Sequence, residues 1–343
     1  MRTRKYKRLS RKTRTRLDHP VIKKLSAEIW QHNKLHKSGK YPKWRILHRG
    51  GGKITSNGYT FLYDETEDSI ICVANKPYKG LCFKITFDEE SGIVGIDISY
   101  NQGCSFNKQL PKSSGTLIML QAILELVLTH KNVAKYNAIV ITDNSSISCI
   151  SHYDGKDYTI KLMDMYFVST GCTWYSSLAP MFLLKQYDEK LYLTYKSRIL
   201  SDLSWSDFLN KLPEHTKDVL TTEIEFDDPA TMNLPAHVIL NKIRKGQYHC
   251  IFFKLFLHDF MHAFDVESMY GKEWCIPLQN GKMISCEEDA VSMSCKHPEK
   301  GWLIPSDFIK QVSQEQYTSM KQKVQIPDIP KEYILQKNNS TKY

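Results

Sequence analysis

The sequence predicts an α+β protein built on a mixed, mainly antiparallel sheet with flanking helices and a helical C-terminal extension. Three observations carry this. Strand-like runs crowd residues 58–99, a long apolar helix lies between two strand runs over 93–142, and helical periodicity dominates after 198. The 343 residues include 41% hydrophobic and 11% aromatic side chains, ample for a core and unlike a disordered chain.

The strand signals come first in the body of the chain. GYTFLY (58–63) is aromatic and SIICVA (69–74) is β-branched. In 81–87, Leu81, Phe83, Ile85 and Phe87 alternate with Cys82, Lys84 and Thr86. In 93–99, Val94, Ile96 and Ile98 occupy one face, and Gly95, Asp97 and Ser99 the other. A helix is predicted from about Thr116 to Thr129, with Ser113 or Ser114 as its cap. Residues 138–142 read as a short buried strand, Asp154-Gly155 as a hairpin turn, and 190–196 (KLYLTYK) as a further strand. Further on, helices are predicted at 204–212 behind a Ser cap, at 235–245 behind Pro235, and at 247–264, which is apolar nearly all round and reads as buried. In front, residues 21–36 carry a helical apolar stripe, and Gly50-Gly51-Gly52 reads as a hinge. The organisation expected is a basic tail (1–20), a helix and linker (21–53), an α/β domain (54–197), the helical extension (198–326) and an extended tail with Pro327 and Pro330.

Charge is divided sharply. Residues 2–16 hold nine Lys or Arg and no acid, and residues 1–53 sum to +16 within a chain of net +10. The remainder is therefore acidic. Such an arm binds polyanions through counterion release, so DNA, RNA or another polyanion is the expected partner of residues 2–16. No apolar run reaches the ~18 residues of a membrane span, and no apolar segment follows the charged N-terminus, so neither a span nor a secretory signal is expected. The nine scattered cysteines read as reduced thiols in a cytoplasmic or nuclear setting, which would leave the Asn144-Ser145-Ser146 sequon unused.

His258 and His262 are spaced for one helical face, with Asp265 as a third metal-ligand type nearby. Cys275, Cys286, Cys295 and His297 could also gather, but without a C-x-x-C pair. Within IFFKLFLHDFMHAF the histidines read as a polar stripe on a core helix, and no metal is expected.

The order of strands, the loop Lys112-Ser113-Ser114-Gly115-Thr116-Leu117 and the later Thr173-Trp174-Tyr175 resemble the GNAT N-acetyltransferase superfamily over about residues 54–197. The resemblance implies that Ile93–Ser99 is the splayed strand holding the pantetheine arm of acetyl-CoA. It implies that Lys112, Ser113, Ser114, Gly115 and Thr116 wrap the pyrophosphate at a helix N-terminus, although Leu117 stands where a second small residue belongs. Tyr175 lies near the place of the Tyr that protonates the departing thiolate. Asp97 is the candidate base for an acceptor whose identity the sequence does not name. The leading reading is an acetyl-CoA-binding acyltransferase-like protein that has possible loss of activity built into its degenerate motif. The alternative is a non-enzymatic virion or nucleic-acid-associated protein attached by its arm. Arg2-Thr3-Arg4-Lys5, TDNS (142–145) and GCTWY (171–175) resemble proteins of large nucleocytoplasmic DNA viruses, which implies work in the host cytoplasm or the virion.

Overall fold

Ten strands among the described residues form one sheet, and β-rich sequence makes its first half. The computed structural model describes residues 51–74, 80–99, 102–111, 114–150, 157–223, 229–246, 249–286 and 306–327. The basic arm, the helix expected over 21–36 and the tail beyond 327 lie outside the described residues. Strands β1 (Gly52–Ser56), β2 (Tyr59–Glu65), β3 (Ser69–Val73), β4 (Leu81–Asp88) and β5 (Ile93–Ile98) form an antiparallel meander. Helix α1 (Gly115–Thr129) then leads to β6 (Ala138–Thr142), which pairs with β5 in parallel. A parallel pair needs such a crossover, because a tight turn can only reverse the chain.

The hairpin β7 (Ser146–Ile150) and β8 (Asp157–Lys161) stands as a separate two-stranded sheet. Helix α2 (Leu162–Thr170), β9 (Phe182–Leu183) and helix α3 (Gln186–Ile199) follow. Helices α4 (Trp205–Lys211), α5 (Glu214–Glu223), α6 (Pro229–Met232), α7 (Ala236–Lys245) and α8 (His249–Ala263) come next. The chain then returns to the sheet as β10 (Glu273–Gln279), β11 (Lys282–Ser285) and β12 (Ile309–Gln311), before α9 (Gln314–Val324). β10 is antiparallel to β6 on one side and to β9 and β11 on the other. Residues 198–326 thus supply strands to the sheet as well as helices.

The register places Phe83, Ile85 and Phe87 of β4 on one face with Val94 and Ile96 of β5 and Ile139 and Ile141 of β6. All are buried, and α1 packs against β1, β4 and β5. His130, just past the end of α1, stacks on Phe87 with ring centroids 4.1 Å apart. Each such large apolar side chain contributes roughly 1.5–3 kcal/mol on full burial.

Three expectations are corrected. Residues 190–196 are helical, inside α3, whose buried positions Asp188, Glu189, Tyr192, Tyr195 and Ile199 recur every three or four residues. Helix α8 is buried on one side only: Lys254, Leu255, His258 and His262 are exposed. The cysteines are not all reduced. Cys82 at the start of β4 bonds Cys104 with Cα atoms 5.6 Å apart, and Cys172 is also disulfide-bonded, while Cys72, Cys275 and Cys286 are free and buried. Cys104 lies 22 positions after Cys82, and the folding back of the loop after β5 brings them together. No helix among the described residues is long and apolar enough to cross a membrane.

Candidate functional site

The ladder between β5 and β6 ends at the pair Ile96–Ile141. β5 runs on to Ile98 beside β4 alone, and β6 runs on to Thr142 beside β10. The parallel strands therefore lose each other at their C-terminal ends, the place where open α/β sheets hold ligands. Ser99 N–H donates to Cys82 O at 2.8 Å, so by alternation Asp97 bonds toward β4 and the backbone of Ile98 faces the gap.

Three acids collect around this fork. Asp97 sits on β5 opposite Lys84 of β4. Burial raises its carboxyl above the usual range, and the Lys84 charge and the Ile98 N–H pull it partly back. Asp143 follows β6 directly and is fully buried. Its backbone is fixed by Asp143 N–H to Lys272 O (3.0 Å) and Gly271 N–H to Asp143 O (2.7 Å). Its Oδ1 accepts both Ser145 N–H (3.0 Å) and Ser145 Oγ–H (2.5 Å), whereas Oδ2 is buried with no hydrogen-bond partner. Burial, opposed by the Ser145 bonds and reinforced by Asp164, pushes this carboxyl up to about 7. Asp164, in the first turn of α2, accepts from Ser268 Oγ (2.6 Å) and Met269 N–H (3.2 Å), so it secures the loop that leads into β10.

Tyr175 joins the acids from a separate direction. Helix α2 ends at Gly171 in the left-handed region (φ 68°), where an added Cβ would lie 2.7 Å from the Leu200 side chain. Glycine is needed there to turn the chain. Thr173 then accepts Ser176 N–H on its Oγ1 (3.1 Å) and Ser176 Oγ–H on its carbonyl (2.9 Å), closing a short 3-10 turn at Tyr175–Ser177. Tyr192 of α3, held between Phe167 and Trp274, bonds this segment through Ser176 and Thr173. Tyr175 is buried, with its ring edge-on to Trp174. Burial first, then the negative charges of Asp143 and Asp97, raise its phenol far above the ordinary tyrosine range. It is therefore a neutral hydroxyl that can donate but not act as a base.

The structure thus brings together Asp97 and Tyr175, and adds Asp143. An aspartate at the very end of an apolar strand was visible in TDNS, but its unpaired oxygen was not. Of the proposed cofactor loop, Lys112 and Ser113 lie outside the described residues. Ser114 is the N-cap of α1 and makes no side-chain cap bond, and no acid occupies the first turn. Gly115 N–H already donates to Pro111 O (2.9 Å) and Ile118 N–H to Ser114 O (3.0 Å), so neither is open to an anion.

The histidine pair sits elsewhere. His258 is almost wholly exposed, 3.9 Å from the carboxylate of Asp259, and Asp259 is taken by Thr216 Oγ1 at 2.5 Å. Among the described residues no three His, Cys, Asp or Glu side chains are set to hold a metal. No protein-family model, curated protein or solved structure matches the chain.

Proposed function

We propose that the protein is an acetyl-CoA-binding, acyltransferase-like protein with a GNAT-like fold. One observation carries the reading. Asp97, near the end of one forked strand, and Tyr175, from a separate part of the chain, lie close enough for the Asp97 charge to act on the phenol. The crossover helix between the forked strands supports the same arrangement. The uncapped α1 N-terminus suits a pyrophosphate, and Leu117, half-buried, narrows the approach. In this reading acetyl-CoA supplies the thioester. Tyr175 holds the proton for the leaving sulfur, and Asp97 or Asp143 takes one from the acceptor.

The test is calorimetric titration with acetyl-CoA. The parent chain should bind, Gly115→Glu should abolish binding by bulk and charge, and Tyr175→Phe should leave affinity nearly intact while lowering any turnover. No binding by the parent chain overturns the reading.

A second reading rests on the charge split of the sequence: a virion or nucleic-acid-associated protein attached by residues 2–16. If roughly half the arm engages duplex DNA, log K should fall against log salt with a slope on the order of −4. Equal affinity after deletion of residues 1–16 would remove the arm from that role. Disulfides persist where thiols are oxidised, so a cytoplasmic location requires a thiol oxidase acting on Cys82 and Cys104 there.

A further inference from the structure

A groove of about 670 Å3 opens between β8, α3, α8 and the loop 265–268, with Asp164 on its wall. Its size is that of a small-molecule site. The informative question is which of its polar groups already have partners.

The acceptors are largely used. Both oxygens of Asp164 are taken by Ser268 and Met269, and Lys161 Nζ lies 3.8 Å away. Asp265 is clamped by Arg198, which bonds its carboxylate at 2.8 Å and its carbonyl as well. That clamp holds Asp265 at φ 55°, in the left-handed region. Glu267 is the remaining carboxylate on the rim.

The donors are not used in the same way. Lys254, His258 and His262 recur every four residues along the exposed side of α8 and line one wall. Among the described residues neither Lys254 nor His262 is engaged by a carboxylate, and His258 has only the distant Asp259 contact. Lys161 stands on the facing strand, its ammonium 5.0 Å above the Tyr270 ring. Beneath these groups the lining is apolar, from Ile160, Leu257, Met261 and Val266. Lys161 is already shared by Asp164 and Ser268 Oγ (3.5 Å), so the donors left over are Lys254, His258 and His262, beside an apolar lining.

We infer that this groove binds an organic anion, with a phosphate or carboxylate head set along Lys254, His258 and His262 and an apolar body on Met261 and Val266. The site shares Asp164 with the acids at the fork, and its proposed ligand contacts do not involve acetyl-CoA.

Octyl phosphate is the probe, titrated calorimetrically into the full-length chain, with inorganic phosphate and octanol as separate arms. Saturable 1:1 binding of octyl phosphate, with both part-ligands much weaker, is expected. Lys254→Glu should weaken it about tenfold, since reversing one cation counts roughly twice the loss of a surface ion pair. Lys282→Glu, on β11, changes the net charge equally and should have no effect. Met261→Asp should abolish binding, and circular dichroism will verify that this variant folds. Equal affinity in the Lys254 and Lys282 variants would overturn the site, because the anion would then be on the N-terminal arm. So would inorganic phosphate binding as tightly as octyl phosphate, or no saturable binding at all.

Discussion

Two buried acidic clusters flank β10, and they are built on opposite terms. At the start of α3, Asp188 is bonded by Lys272 (2.7 Å), and Glu189 by Lys321 and Gln325. Glu273 has Lys185 at 3.9 Å, although its Oε1 has no hydrogen-bond partner. Each carboxylate there has its own cation. At the fork, Asp97 has Lys84 opposite, Asp164 has Lys161, and Asp143 has no cation among the described residues. The first cluster ties α3, α9 and β10 to one another. The second leaves one oxygen of Asp143 buried with no hydrogen-bond partner, an arrangement that costs stability and is typical of sites that handle protons.

The comparison can be broken most forcefully at Asp143. Its folded-state carboxyl titrates at about 7, well above the unfolded value. A raised carboxyl favours the folded state fully at low pH, and that contribution is lost as pH rises from about 4 to about 7. The linked loss is ~4 kcal/mol at most, three units at about 1.4 each. Asp143→Asn should therefore match the parent chain near pH 4 and exceed it above pH 7. Urea denaturation at both ends of that window measures the difference. Identical pH dependence in the two chains would mean that Asp143 finds a partner in solution.

The paired cluster should respond in the other direction. Lys272→Met strands the buried Asp188 carboxylate and should destabilise by about 2–3 kcal/mol, reduced from a fully buried pair because the lysine is partly exposed. Adding Asp188→Asn to that variant should restore most of the loss. A double-mutant cycle with no coupling would show that the pair is held for geometry alone. The smallest effect is expected from Ser145→Ala, which removes one of two bonds to Asp143 Oδ1. A loss of about 1 kcal/mol above pH 7 that fades toward pH 4 would confirm that the hydroxyl serves the ionised form.

The same contrast explains what the sequence disclosed. The alternation of 81–87 and the apolar stripe of 116–129 rest on local periodicity, and β4 and α1 lie where those patterns put them. Helix α3 was hidden because two of its five buried positions are Asp188 and Glu189. Their burial depends on Lys272 and Lys321, more than 80 residues away. β10 was obscured by Glu273 and Pro277 inside it, although the Asn280-Gly281 turn that follows, with φ of 50° and 73°, is a strong hairpin signal. Asp97 and Tyr175 were legible as residue types in suggestive places. Asp143 was not, since a missing partner leaves no mark in a sequence.

The insertion of β10 between β6 and β9 also sets a timetable for synthesis. β6 is complete at Thr142, but its neighbour does not begin until Glu273, about 130 residues later. At roughly 5–20 residues per second, Ile139, Val140 and Ile141 spend on the order of 10 s as an open apolar edge. Such an edge invites pairing with other nascent chains. The helices made in that interval must either shield it or leave it to a chaperone, so yield should fall when translation is slowed between residues 143 and 272 and recover when it is slowed after 279.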